Sequence, residues 1–221
     1  TACEDGYKKL EQLVPALKAS LFTEPVHKER FSVELSKKNE GFETSAQIQY
    51  VGRAGNYRTD GELSYTGVLR VLKVILGYEY LWTNVRVKGG AYGCMCNFGK
   101  AGDSYFVSYR DPNLKKTMET FEKTGDYLRG FTADERTMTK YIIGAISDLD
   151  IPMNPSAKGS RSSSAYLTNQ TYEEVQKERD ELLACTQEDI RALADYMDAI
   201  MKAEAICVVG NGQAIEDNKE M

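Results

Sequence analysis

The chain has 221 residues, 42% of them hydrophobic, enough to bury one sizeable core and to permit one or two domains. Twenty-eight basic against 33 acidic residues leave a net charge of −5, which supplies no general attraction for phosphate backbones or anionic membranes, so nucleic acid and membrane are disfavoured as partners. No apolar run of about eighteen residues is present and the start, TACEDGYKKLEQ, lacks the regions of a signal peptide, while five scattered cysteines fit free thiols in a reducing compartment.

Residues 6–22 read as an amphipathic helix interrupted or restarted at Pro15, with Leu10, Leu13, Val14, Leu17 and Leu21 at helical spacing. A domain opening on a helix with no partner strand looks cut from something longer. Residues 23–44 are charged and aperiodic, a linker holding one short strand near 31–35. Residues 45–51 alternate as a half-buried strand does, and 52–57, Gly-Arg-Ala-Gly-Asn-Tyr, read as a loop whose backbone a ligand could approach. Residues 62–83 are too apolar around their circumference for a surface helix and should form the central buried one.

Two alternating runs, 91–98 and 104–109, flank a five-residue glycine-containing loop and predict a hairpin. Asp111-Pro112-Asn113 opens a helix over 114–129, with Asp111 as cap. Thr132-Ala-Asp-Glu135 reads as a capping box before a second helix to about residue 150, and 171–174 and 186–189 open two more. Between them 151–164, with Pro152, Pro155, Gly159 and a run of serines, reads as a long surface loop with helix only after Ser160. A buried-type strand at 203–209 and a polar tail finish the chain. The pattern is α+β, an antiparallel sheet with its helices packed on one face.

The densest chemistry lies in 81–97, LWTNVRVKGGAYGCMCN. A guanidinium (Arg86) and a phenol (Tyr92) flank a Lys-Gly-Gly turn. Both are hydrogen-bond donors and neither is a good general base near neutral pH. Two donors converging on one point suit a carbonyl oxygen that becomes negative during acyl transfer, which is half of a hydrolytic mechanism. The other half has no obvious source. His27 is the sole histidine, so no Ser-His, Cys-His or multi-histidine zinc arrangement can be assembled. Cys94 and Cys96 share one face of a strand but lack further ligands, and read as packing thiols. On residue chemistry alone Arg86 is equally a salt-bridge partner at a helix C-terminus and Tyr92 a packed strand aromatic.

Val85-Arg86-Val87-Lys88-Gly89-Gly90-Ala91-Tyr92-Gly93, Ser108-Tyr109-Arg110-Asp111-Pro112-Asn113-Leu114 and Pro155-Ser156-Ala157-Lys158-Gly159 resemble the C-terminal portion of presequence-protease and falcilysin-type metallopeptidases of the insulinase superfamily. The resemblance spans about residues 42–209. It implies a LuxS/mitochondrial-processing-peptidase-like metallohydrolase domain, one of four homologous α+β domains that close around a chamber and degrade unfolded peptides. Zinc is held in the first domain on an inverted H-x-x-E-H motif, which this chain lacks, so no metal ligand is expected here. The last domain reaches the substrate through an arginine and a tyrosine, which match Arg86 and Tyr92; Lys88, Gly89 and Gly90 are expected to contact substrate beside them.

The resemblance makes 1–22 the closing helix of a preceding domain, 23–41 a linker and 42–221 the C-terminal peptidase-family domain. It predicts a zinc oligopeptidase fragment, inactive alone, whose partners are the N-terminal half of the same polypeptide and an unfolded peptide. Dimerisation through a face left uncovered is a further expectation, as is location in the cytoplasm, or in an organelle matrix in a eukaryote. The alternative is a non-catalytic scaffold or peptide-binding domain of the same fold.

Overall fold

A computed structural model describes residues 3–22, 24–25, 29, 31–32 and 39–220. His27, and residues 33–35 of the short strand expected there, lie outside the described residues. The chain divides into a smaller unit, Thr1–Ser36 with Ile151–Tyr172, and a larger one, Lys37–Asp150 with Glu173–Met221.

The first element is α1 (Glu4–Ser20), with Glu4 and Asp5 in its first turn and Lys18 in its last, charges that suit the helix dipole. Pro15 lies inside it, and Leu10, Leu13 and Leu17 are exposed. Strands β1 (Glu40–Thr44) and β2 (Gln49–Asn56) follow. The expected loop at 52–57 is therefore strand: β2 is paired on both sides, to β4 (Asp103–Asp111) and to β5 (Ala205–Asn211). The glycines there serve packing, since a Cβ on Gly55 would collide with the Ile200 carbonyl. Arg53 is buried, with Nη2 donating to the Met201 carbonyl at 2.7 Å.

Asn56 caps α2 (Tyr57–Gly61), its side-chain oxygen accepting from the Arg58 and Thr59 amides. The central helix starts at α3 (Val68–Ile75), six residues later than the hydrophobic run suggests, because Glu62 adopts left-handed φ and ends α2. It then continues as π-helical turns over Leu76–Tyr80 and Trp82–Val87. The wider turn brings residues five apart towards one face, and Leu76 and Leu81 are both fully buried.

The hairpin of β3 (Gly93–Phe98) and β4 leads into α4 (Lys115–Glu122) and α5 (Thr124–Arg129), two helices where one was expected, divided at Lys123. The cap of α6 (Glu135–Leu149) is Asp134, whose side chain accepts from the Thr137 amide, rather than Thr132. The expected loop at 151–164 is largely α7 (Pro155–Leu167): Asn154 caps it and Pro155 takes the first turn, where a missing N–H costs nothing. Next come α8 (Tyr172–Leu183), α9 (Gln187–Ala192), α10 (Ala194–Lys202), β5 and α11 (Gly212–Glu216). Thr186 and Asp189 form the reciprocal capping box that their spacing predicts.

The sheet order is β1-β5-β2-β4-β3, antiparallel throughout except for the parallel edge pair β1–β5. Val51, Cys96, Phe106, Ile206 and Val208 face a single core shared with α3, α4, α5 and α10, including Leu72, Phe121, Leu128 and Met197. Each such fully buried apolar side chain contributes about 1.5–3 kcal/mol. Phe42, Tyr50, Met95 and Tyr105 are exposed. Register places Phe42 and Tyr50 beside Val209, on the face of the sheet opposite Val51 and Val208. This is the α+β architecture with helices on one face that the sequence pattern requires.

Within the larger unit buried Glu178 ties α8 to the start of α3 and to the β3–β4 loop. Its carboxylate accepts from Arg70 Nε, Lys100 Nζ and the Tyr65 hydroxyl, the last at 2.8 Å.

Candidate functional site

The expected site residues lie where the π-helical turns stop. Lys88 N–H donates to the Thr83 carbonyl, Gly90 N–H to that of Arg86 at 2.8 Å and Ala91 N–H to that of Val85 at 3.2 Å. Each of the last two bonds spans one residue more than in the corresponding stop of an α-helix, as a π turn demands. The stop closes on Gly90 at φ +83°, a conformation that only glycine takes without strain. A side chain on Gly89 would strike the Val85 carbonyl oxygen.

A second loop braces this turn. The Asn113 side-chain amide donates to the Gly89 carbonyl at 2.5 Å, and Lys116 Nζ reaches the Lys88 carbonyl at 3.5 Å. Asn113 is itself fixed by Asp111, which is 0% exposed. One Asp111 oxygen accepts from the Asn113 amide at 2.9 Å and the other from the Thr117 hydroxyl at 2.7 Å.

Asp111 can face inwards because β4 carries an extra residue there. Gln49 pairs with Asp111 and Val51 with Ser108, so two steps on β2 match three on β4. Arg110, at φ +50°, absorbs the difference. Strict alternation from buried Ser104, Phe106 and Ser108 would send Arg110 into the core and Asp111 out. The bulge reverses both.

Tyr92 sits just before β3, its N–H donating to the Arg110 carbonyl at 3.2 Å. Its ring lies edge-on to Tyr109, centroids 5.5 Å apart, beneath the Arg110 guanidinium at 5.6 Å, and the residue is 60% exposed. Arg86 stacks on Trp82, its Cζ 3.9 Å from the ring centroid. Among the described residues neither the Arg86 guanidinium nor the Tyr92 hydroxyl has a hydrogen-bond or ion-pair partner. The two side chains rest on different supports, Arg86 on Trp82 and Tyr92 on Tyr109 and Arg110. Lys88 is exposed at the turn. The Gly89 carbonyl accepts from Asn113 and the Gly90 N–H donates to Arg86, so both groups are already bonded.

Arg86 makes no ion pair among the described residues, and Tyr92 projects outwards. Stacking holds a guanidinium through its face and leaves the edge N–H groups free. Trp82 was not singled out as a site residue from the sequence, although its position four residues before Arg86 on a helix was the available signal. Arg110 lies within one of the motifs of the resemblance but was not singled out as a site residue, because its placement depends on the bulge.

A family model described as the PreP C-terminal domain matches residues 39–211. The chain belongs to the PreP C-terminal domain family. It is thus a C-terminal domain of the insulinase-type metallopeptidases. Protein HypA of Clostridium perfringens is 45% identical over 99% of the chain, which covers 22% of that protein. Presequence protease 1, chloroplastic/mitochondrial, of Arabidopsis thaliana is 39% identical over 82% of the chain and 17% of its own length. This PreP C-terminal domain therefore spans about a fifth of the curated relatives it matches. In fold it resembles the peptidase M16 inactive domain from Pseudomonas fluorescens, with a TM-score of 0.61 at 16% identity over 93% of this chain and 51% of that one. Pitrilysin gives 0.57 at 14% identity over 96% of this chain and 24% of that one.

Among the described residues no three His, Cys, Asp or Glu side chains are grouped to hold a metal ion. Burial pushes the Cys94 thiol up to about 11 and the Cys96 thiol up to about 12, which keeps both protonated and unsuited to ligation. All five cysteines are free. Among the described residues no helix is long and apolar enough to cross a membrane.

Proposed function

We propose that this domain is the substrate-contacting part of a zinc-dependent oligopeptidase that degrades unfolded peptides, with the metal held by another part of a longer polypeptide. The observation that carries this reading is the pair of unspent donors at the Gly89–Gly90 turn. Arg86 is held by Trp82 and Tyr92 by Tyr109 and Arg110, contacts that immobilise each group without consuming its N–H or O–H. Donors fixed in advance cost no reorganisation when a carbonyl oxygen develops charge, which is where such groups act in peptide hydrolysis. Arg86 and Tyr92 hold that oxygen, Lys88 lies against the peptide, and Gly89–Gly90 set the spacing. Zinc elsewhere in the enzyme supplies the activated water.

Names of relatives such as the presequence proteases of Arabidopsis thaliana and Aspergillus oryzae support a peptidase and an organelle location. The N-terminal half of the same polypeptide is the natural partner, and the isolated domain is inactive. Its uncovered apolar residues, among them Phe42 and Tyr50, give it a means to dimerise when separated.

In the parent enzyme, Arg86→Ala and Tyr92→Phe each lower kcat by about 10²–10³-fold with little change in KM, because the contacts strengthen only in the transition state. Unchanged kcat in both variants returns the pair to a structural role and favours the scaffold reading.

A further inference from the structure

Arg110 combines features that the peptide-contacting role of Arg86 and Tyr92 does not use. It holds a left-handed backbone conformation at φ +50°, which is costly for a residue with a side chain. It does so inside the β4 bulge, and the consequence is specific: the guanidinium leaves the core face and lies over the exposed ring of Tyr92. Bulges of this kind re-aim a side chain at the end of a strand.

The charge around it is equally one-sided. Arg86, Lys88, Arg110 and Lys116 are carried by two chain segments, the end of the π-helical turns and the β4–α4 junction, tied together through the Tyr92–Arg110, Asn113–Gly89 and Lys116–Lys88 bonds. None of the four is ion-paired among the described residues, although the whole chain carries a net charge of −5. The adjacent acid, Asp111, cannot neutralise them from the surface, because the same bulge buries it and both its oxygens are bonded to Asn113 and Thr117. With its Cζ 5.6 Å from the Tyr92 ring centroid and no ion pair among the described residues, the Arg110 guanidinium keeps its fork of N–H donors, matched to a planar carboxylate, available.

We propose that Arg110, re-aimed by the bulge in β4 and assisted by Lys88 and Lys116, forms a subsite beside Tyr92 that binds a carboxylate of the peptide substrate. This rests on the reading that Arg86 and Tyr92 contact a peptide, and it names the chemistry that such a peptide should carry. The carboxylate comes from an acidic side chain or from the free C-terminus.

Trp82 is the single tryptophan of the chain and lies under Arg86, so its fluorescence reports on this surface alone. Three matched, tryptophan-free, unstructured peptides are titrated into the protein: one neutral, with Gln and a C-terminal amide; one with Glu in place of that Gln; one with Gln and a free C-terminus. At least one carboxylate peptide is expected to bind about 3–10-fold tighter than the neutral one, and which does so identifies the source. The preference shrinks between about 0.05 and 0.5 M salt. In Arg110→Gln the preference falls to near unity, whatever uniform change the lost contact with Tyr92 makes to the affinity of all three peptides.

Arg110→Gly relieves the backbone conformation, so it keeps or raises Tm while abolishing the preference, which separates a binding role from a structural one. Equal affinity for all three peptides, or a preference surviving in both variants, overturns this proposal and leaves the donor role of Arg86 and Tyr92 standing. Absence of binding by every peptide overturns both.

Discussion

Asp111→Ala removes the group that fixes the second loop against the Gly-Gly turn, and its cost can be worked from the contacts. The carboxylate is 0% exposed and Thr117 is 2% exposed, so the Thr117 hydroxyl loses its acceptor where water does not reach. An abandoned buried donor costs about 1–3 kcal/mol. The Asn113 amide is half-buried and recovers some hydration, adding about 0.5–1 kcal/mol. The sum is about 1.5–4 kcal/mol, which for a chain of this size lowers Tm by about 3–16 °C.

Urea melts followed by circular dichroism measure the loss, and Thr117→Val completes a double-mutant cycle. Because the Thr117 penalty exists only while its hydroxyl is present, the double variant is less destabilised than the sum of the two singles, with a coupling of about 1 kcal/mol. A loss below about 0.5 kcal/mol for Asp111→Ala, or strict additivity in the cycle, refutes the account of Asp111 as the brace of this loop.

Two further outcomes follow from titratable groups. Burial pushes the Glu178 carboxyl up, but hydrogen bonds from Lys100, Arg70 and Tyr65 outweigh it and hold the group below its ordinary value. The folded pKa is thus below the unfolded one. The stabilisation is complete above the ordinary carboxylate value of about 4.3 and is lost as pH falls through the lower folded value. Glu178→Gln should cost about 1–2 kcal/mol at neutral pH, towards the low end because the Arg70 and Lys100 side chains are 34% and 45% exposed and regain water. The gap from wild type narrows in acid; an equal gap in urea melts at neutral and acid pH contradicts the assignment. Cys3 and Cys207 are exposed, whereas burial raises the Cys96 and Cys185 thiols to about 12. Iodoacetamide under native conditions should label the first pair and spare the second, as peptide mapping would show.

The elements legible in advance were those whose signal is local. Thr186 and Asp189 cap α9 because a hydroxyl and a carboxylate three residues apart can satisfy each other's amides whatever surrounds them. The alternating runs gave β3 and β4, and the apolar run gave the central helix, since burial of one face is written into side-chain order. Where composition was read without its neighbours the outcome differed. Gly52–Arg53–Ala54–Gly55 looks like a loop, yet Gly55 accepts the close approach of α10 and the arginine finds a carbonyl in the core. Residues 155–160 look like loop, yet Asn154 and Pro155 form a helix start.

The sequence by itself determined the α+β class, the donors Arg86 and Tyr92 flanking a Gly-Gly turn, and the want of an obvious nucleophile, base or metal ligand, because these depend on residue type and spacing. Only the tertiary structure decided how those donors are held. The π winding that brings Arg86 onto Trp82, and the one-residue bulge that turns Arg110 out and Asp111 in, are adjustments of backbone register. Register is set by the pairing of distant strands and by the packing of the central helix, and no stretch of the chain carries that information alone.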